Sequence, residues 1–390
     1  MMTYTDSFPP VFLNAQYFPD PAFRAALAGR LFLTEDELIP DDLLENVDKL
    51  DLSSNFIDNL EGIGYFRGLR TLNVAMNSLH SLDVSKLHQL ERLNCDANYI
   101  QTLTLKNNNK LNRLSARQNR LEELDLSGAP HLTGLYVQEN RLSRLDASTC
   151  PELRRLRCFA NPLVSLASSN CRALSELDCR YGRLSELDLR QAPNLVSISC
   201  SHNLLRSIDV TKCMNLQDLD CSNNLLETLD IGCLEHLTSF NCSQNLLSSL
   251  TIYPWQDLIS LDCSKNKLTS LEIISFDELE KLSCSNNQLD SLTVNDCPWL
   301  IELDCSYNHL KGLSIFDCPD LSVLDCSNNE ISDLNINDCV SLMSIDCSGN
   351  QLKSIELTHC DELSHCKADP QTEVHLYDSD DEGSVIGKNA

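Results

Sequence analysis

The chain has 390 residues, enough to bury a large core, and carries a formal net charge of −27 from 30 Lys plus Arg against 57 Asp plus Glu. A surface of that sign repels nucleic acid and anionic lipid. No stretch approaches the roughly 18 consecutive apolar residues of a membrane-spanning helix, so membrane insertion is not expected. The start, MMTYTDSFPPVFLNAQYF, lacks a basic segment followed by an apolar one and is not read as a signal peptide.

In chain order, the first element is a helical cap in an N-terminal segment spanning 1–46. The stretch FPDPAFRAALAGRLFLTEDEL offers Asp20 as N-cap and Pro21 as the first helical residue, with Phe23, Leu27 and Leu31 on one face. Thr34 and Glu37 have the spacing of a second capping box. From residue 47 to 367 one phrase then repeats. Asn55 and Asn77 are followed at steps of 21 by Asn98, Asn119, Asn140 and Asn161. Gly182 holds the next slot, and Asn203, Asn224, Asn245, Asn266, Asn287, Asn308, Asn329 and Asn350 complete fifteen registers. Each reads Leu-x-x-Leu-x-(Leu/Val/Cys)-x-x-Asn-x-Leu, which is the leucine-rich repeat: a short strand, a turn fixed by Asn and a tight return. In the last segment, 368–390, TEVHLY alternates so that Val374 and Leu376 can cover the final coil as a strand, and an acidic tail expected to be disordered follows.

One repeat cannot bury its leucines alone, so neighbours stack. The expected fold is an α/β-type solenoid: a horseshoe or arc of about 15 repeats with a parallel concave β-sheet and a small helical N-cap. Strands about 4.8 Å apart would give an arc on the order of 70 Å. The asparagines are read as satisfying backbone groups at each turn, a structural role.

The stretches NAQYFPDPAFRAAL and LEGIGYFRGLRTLNV and the run of LDCSNN-type repeats resemble the bacterial internalin-like leucine-rich repeat proteins. Within them, the chain resembles the 21-residue, cysteine-ladder type found in internalin J and in gut-bacterial surface proteins, over residues 12–367. The resemblance implies a non-enzymatic recognition scaffold. It also sets two expectations for location: cytoplasmic if the chain is complete, secreted or displayed at the cell surface as in most relatives otherwise. The segment TEDELIPDD, without glycine, departs from the Asp-Gly-rich loop of many relatives, so a calcium-type loop does not carry over.

Eleven of the 20 cysteines sit three residues before the turn position: Cys95, Cys158, Cys179, Cys200, Cys221, Cys242, Cys263, Cys284, Cys305, Cys326 and Cys347. Leu52, Val74, Ala116 and Val137 fill that slot elsewhere, which marks it as a small apolar site. Seven more, Cys150, Cys171, Cys213, Cys297, Cys318, Cys339 and Cys360, lie ten residues after the turn position, in a column that also accepts Ala129 and Ala192. Side chains in register on parallel strands point the same way, which holds β-carbons wider than the roughly 3.8 Å of a disulfide. A reduced, buried ladder is therefore expected. The cluster HCDELSHC brings His359, Cys360, His365 and Cys366 together, but its spacing matches no common zinc pattern, so no metal and no cofactor is assigned.

The outward residues of the strands are the place for function. From Ser199 to Ser348 they are monotonous small polar residues. Repeats 4–7 differ, presenting Arg113, Arg117, Tyr136, Gln138, Arg155, Arg157, Phe159, Asp178, Arg180 and Tyr181. Residues 111–190 hold 12 Arg and no Lys against 10 Asp plus Glu, whereas the other 310 residues hold 18 Lys plus Arg against 47 Asp plus Glu. Two readings stand: arginines paired with local carboxylates, or a patch for a protein partner with an acidic surface. The aromatics Tyr253, Trp255, Trp299 and Phe316 are read as local packing. No phosphate loop, nucleophile elbow or HExxH is present, so the chain is not read as an enzyme. The expectation is a monomeric leucine-rich repeat adaptor or receptor binding protein on its concave face. The alternative is a bacterial surface adhesin for host protein or glycan.

Overall fold

One buried carboxylate seals the first repeat. In the computed structural model, which describes residues 9–253, 255 and 257–376, helix α1 spans Pro21–Leu31. Asp20 caps it as expected, Oδ1 accepting from the Phe23 N–H at 2.9 Å. The other Asp20 oxygen accepts from the Asp58 and Asn59 N–H groups at 2.7 and 2.8 Å, which ties the helix to the repeat beneath it. Phe23 and Leu27 are buried, with Phe23 edge-on to Phe18, while Leu31 is half-buried.

The second capping box forms without its helix. Glu37 accepts from the Thr34 N–H and hydroxyl at 2.7 and 2.9 Å, yet residues 34–37 are a turn. Phe32 in the left-handed region (φ 58) ends α1. Pro40 disfavours a helical Ile39, so a helix begun at Thr34 would stop within its first turns. Leu38–Ile39 instead pairs antiparallel with Val11–Phe12, and helix α2 spans Asp41–Asn46.

Beyond the cap, the chain divides into two units, Met1–Leu184 and Ser185–Ala390. In the first, seven three-residue strands run one per repeat from Lys49–Asp51 to Glu176–Asp178, parallel and in register. In the second, nine such strands run from Ser197–Ser199 to His365–Lys367. In most of these strands the middle residue is inward and buried while its neighbours face out, as at Asp218–Asp220 and Lys281–Ser283. The last strand exceeds the fifteen asparagine registers. It puts Cys366 opposite Ile345 in a leucine slot, and Asp369 accepts from the Gly349 and Asn350 N–H groups at 3.0 and 2.9 Å where earlier turns, such as Gln244 and Asn245, use backbone carbonyls of the next repeat.

Among the described residues the return limbs contain no α-helix. They are turns and short parallel strands, such as Ser81–Asp83 beside Thr102–Thr104 and Ser270–Ile274 beside Ser291–Asn295. The fold is a parallel β-solenoid of leucine-rich repeats whose helices belong to the N-terminal cap. The expected C-terminal strand is present as Glu373–Leu376, with Val374 opposite Ile355 and Leu376 opposite Leu357. The expected disordered tail falls in 377–390, outside the described residues. Among the return-side aromatics Trp255 is buried in the cysteine column as expected and the Tyr253 ring lies over Gly232 of the preceding repeat, while Tyr253, Trp299 and Phe316 each keep much of their surface exposed. No helix among the described residues is long and apolar enough to cross a membrane.

The asparagines stitch consecutive turns. Asn266 Nδ2 donates to the Cys263 and Ser264 carbonyls of its own turn and to the Cys242 carbonyl of the preceding repeat, at 3.0–3.2 Å. Its Oδ1 accepts from the Leu247 N–H at 3.0 Å. The same four contacts recur at Asn119, Asn245, Asn287 and Asn308. The residue before the turn position is left-handed throughout, from Ser54 (φ 59) to Asn328 (φ 55) and also at Tyr181 (φ 55) before Gly182, and only Gly349 (φ 71) is free of the side-chain penalty there. Where Gly182 replaces the asparagine, the Leu163 N–H turns to the Asn161 carbonyl at 2.8 Å. Asn266→Ala should lower stability by about 3 kcal/mol, because an N–H and carbonyls stay buried without partners. Chemical denaturation against the parent chain measures it, and a loss below about 1 kcal/mol would refute the role.

The cysteine columns pack as read. All eleven of the first column are at most 1% exposed, and Cys242, Cys263, Cys284, Cys305 and Cys326 on consecutive repeats are free thiols. Burial pushes the Cys339 and Cys347 thiols up to about 12 and those of Cys171 and Cys213 to about 11. A thiol of the unfolded chain ionises near about 8.5, so above that pH unfolding releases protons and the folded state loses ground. The thiols' contribution to stability should be level below about pH 8.5 and be lost between there and about pH 12. The Cys339→Ala/Cys347→Ala variant should fall less steeply, and parallel slopes for the two proteins in thermal melts would contradict the assignment.

Candidate binding site

On the strand face of the second unit the acidic residues serve their own turns. Asp262 Oδ1 accepts from the Ser264 N–H at 3.0 Å and its hydroxyl at 2.6 Å, and Asp220 with Ser222, Asp304 with Ser306 and Asp346 with Ser348 do the same. The Asp-Cys-Ser phrase is thus a closed structural unit, which agrees with its reading as a generic solvated surface.

In the first unit, several of the expected contact residues are engaged locally. Arg117 Nε lies 2.8 Å from Asp96 Oδ2, and Asp96 also accepts from the Ser115 hydroxyl and the Arg117 N–H at 2.7 Å each. Arg157 Nε donates to Glu176 Oε1 at 2.7 Å, with a second guanidinium N–H on the same oxygen. Arg155 Nε is 3.5 Å from the other Glu176 oxygen. Arg180 grips Asp178 with two bonds of 2.9 and 3.0 Å and lies 5.4 Å over the Phe159 ring. Gln138, expected to face a partner, is buried and its Oε1 has no hydrogen-bond partner among the described residues. Tyr181 is exposed and left-handed. The local-pairing reading therefore holds for Arg117, Arg157 and Arg180.

The remaining residues build something else. The first strand position carries Arg92, Arg113, Gly134 and Arg155 on four consecutive repeats, in register. Gly134 leaves a gap in that row. An added β-carbon there would sit 3.1 Å from Tyr136 Cε2, so the tyrosine ring lies over the space a side chain would take. The result is a depression of about 430 Å³ lined by Arg92, Arg113, Arg154, Arg155 and Tyr136, together with Gly134, Asn112, Thr133 and Ser175. No carboxylate lines it, and Arg92, Arg113 and Arg154 form no ion pair with a described residue. The Thr133 and Ser175 hydroxyls donate to the Asn112 and Arg154 carbonyls at 3.0 and 3.1 Å, which leaves the guanidinium N–H groups as the principal donors. Arg113 is steadied by stacking 4.9 Å over Tyr136.

Arg92, Arg154 and Gly134 were not among the residues singled out from the sequence. Reading the first strand position down the repeats, rather than each repeat along its length, would have found the row. Like charges on neighbouring strands repel, so Arg92 beside Arg113 is unfavourable until an anion arrives. The arrangement can hold an anion. Among the described residues, no group of three or more His, Cys, Asp or Glu is placed to hold a metal.

Residues 298–339 match the family model described as Leucine Rich repeats (2 copies). No curated protein matches the sequence. Among solved structures, the chain is similar to the functional domain of internalin J from Listeria monocytogenes, which includes a cysteine ladder: 25% identity, 95% of this chain and 77% of that one, TM-score 0.75. YopM from Yersinia enterocolitica shares 26% identity over 86% of both chains at TM-score 0.59. The Arabidopsis receptor kinase HAESA, solved in complex with a peptide hormone and a co-receptor, shows the same fold at 20% identity over 84% of this chain and 67% of that one, TM-score 0.64. The fold and the buried ladder bear out the internalin-type resemblance.

Arg157 is exposed and Arg180 half-buried, and ion pairs near the surface contribute little to folding. Arg157→Ala and Arg180→Ala should each shift stability by less than about 1 kcal/mol. Larger losses in urea melts would show that the pairs hold the repeats together.

Proposed function

We propose that this leucine-rich repeat solenoid is a non-enzymatic protein-binding scaffold, an adaptor or receptor, whose strand face over repeats 3–7 receives an acidic segment of a partner protein. One observation carries the reading. In a chain of net charge −27, a depression on the strand face gathers four arginines and no carboxylate. Arg155 also reaches Glu176 and Arg113 stacks on Tyr136, but Arg92, Arg113 and Arg154 have no carboxylate partner among the described residues. The fold supports the same class of function, since a solenoid presents a long regular surface and relatives of this fold, HAESA among them, were solved with protein or peptide partners. Arg suits an acidic partner because its planar fork makes paired bonds to carboxylates and still stacks on rings.

The intact chain, used as bait with partners identified by mass spectrometry, should capture an acidic protein less well as salt rises, since attraction is screened over about 8 Å at physiological ionic strength. Arg113→Ala with Arg155→Ala should abolish capture while leaving the melting curve nearly unchanged. The matching pair Ser260→Ala and Asp262→Ala should capture as the parent does. Equal capture by both double variants would place the contact elsewhere on the chain.

A further inference from the structure

We infer that the arginine depression is a receptor for a phosphomonoester dianion carried on a side chain of the partner. The inference rests on the reading of this face as the contact for a protein partner, and narrows it from acidic surface to one phosphorylated residue.

Charge decides between a carboxylate and a phosphate. Arg155 shares Glu176 with Arg157, whereas Arg92, Arg113 and Arg154 have no carboxylate among the described residues. Three unpaired guanidinium groups around one opening are poorly matched by a carboxylate, which brings one charge and two oxygens. A phosphomonoester brings nearly two charges and three terminal oxygens, so it can accept from several forks at once. Spacing agrees. Arg113 and Arg155 flank Gly134 in register, so their backbones stand two strand spacings apart, roughly 9.6 Å. That span suits a single tetrahedral group resting above the Tyr136 ring, which lies over Gly134 and holds Arg113.

The surroundings limit the ligand to an isolated phosphate. Asp96, Glu176 and Asp178 lie on the same strand face, and the chain is strongly acidic overall, so a nucleic-acid backbone with a charge at every step would be repelled on leaving the depression. Phosphorylation of the partner would act as the switch for docking, by supplying the charge that the row of arginines lacks.

The test uses the full chain with O-phosphoserine, inorganic phosphate and glutamate as probes in calorimetric titrations. O-phosphoserine and phosphate should bind, with glutamate at least about tenfold weaker. Arg113→Glu should cut O-phosphoserine affinity at least about tenfold and also raise the melting temperature, because it relieves the repulsion with Arg92. A purely structural arginine would lose stability instead. Equal binding of glutamate and O-phosphoserine, or unchanged binding by the Arg113→Glu variant, would overturn the inference. A second arm separates it from the scaffold reading. If a captured partner binds equally well after phosphatase treatment, the phosphate assignment fails and the scaffold reading stands. If O-phosphoserine binds the parent chain but no protein is captured, the anion site stands and its ligand is a free phosphorylated molecule, which overturns the partner assignment.

Discussion

A primary amide placed every 21 residues is the constraint on which this solenoid depends. Each ladder asparagine turns its Nδ2 on carbonyls of its own turn and of the repeat before it, and its Oδ1 on an N–H of that earlier repeat, as at Asn287 and Asn308. No other side chain of that size both donates twice and accepts at those distances. The residue before it is left-handed, a conformation that costs a non-glycine residue on the order of 1–2 kcal/mol. The chain tolerates residues as large as Tyr307 and Lys265 there because that residue's own N–H also bonds the next repeat, Lys265 to the Ser285 carbonyl at 2.8 Å.

The cysteine ladder follows from the same turn. Three residues before each asparagine the chain passes inward under its carbonyl, leaving room for a small side chain between stacked leucines. Cysteine fills that room and stays protonated, since burial holds its thiol far above the usual range. The thiols add packing density to a core with few aromatic residues. Asn108 shows what else the second column accepts: its Nδ2 donates to the Val84 and Leu87 carbonyls at 3.0 Å each, so a polar side chain survives there by bonding backbone.

The strand face carries two chemistries. In the second unit Asp220, Asp262, Asp304, Asp325 and Asp346 are turned back on the serine two residues ahead, so much of the acidic surface is part of the turn. In the first unit the serine is replaced by Arg117, Gln138, Phe159 and Arg180, and the self-contained pattern breaks. Arg117 and Arg180 recover a carboxylate nearby, while Gln138 is buried with an unsatisfied oxygen beside Tyr136. What remains without a carboxylate among the described residues are the arginines four residues earlier, at the first strand position, Arg92 and Arg113, with Arg154 at the rim.

The sequence by itself determined the repeat frame, the inward leucine and cysteine columns, the Asp20 cap and the closing strand at Val374 and Leu376, because each rests on local spacing and on apolar residues that must leave water. It also located the departure from monotony in repeats 4–7, by charge. Tertiary structure alone decided which arginines are satisfied. Arg157 reaches Glu176, 19 residues away, across a strand pairing, and Arg117 reaches Asp96 from 21 residues away. It also decided that Thr34 and Glu37 make a turn, since the left-handed Phe32 and Pro40 leave no length for a helix. The depression itself exists only where Gly134 falls between Arg113 and Arg155 on stacked strands. Residues that are 21 apart along the chain become neighbours about 4.8 Å apart through the ladder, and a vacancy in such a row has no counterpart in the linear order.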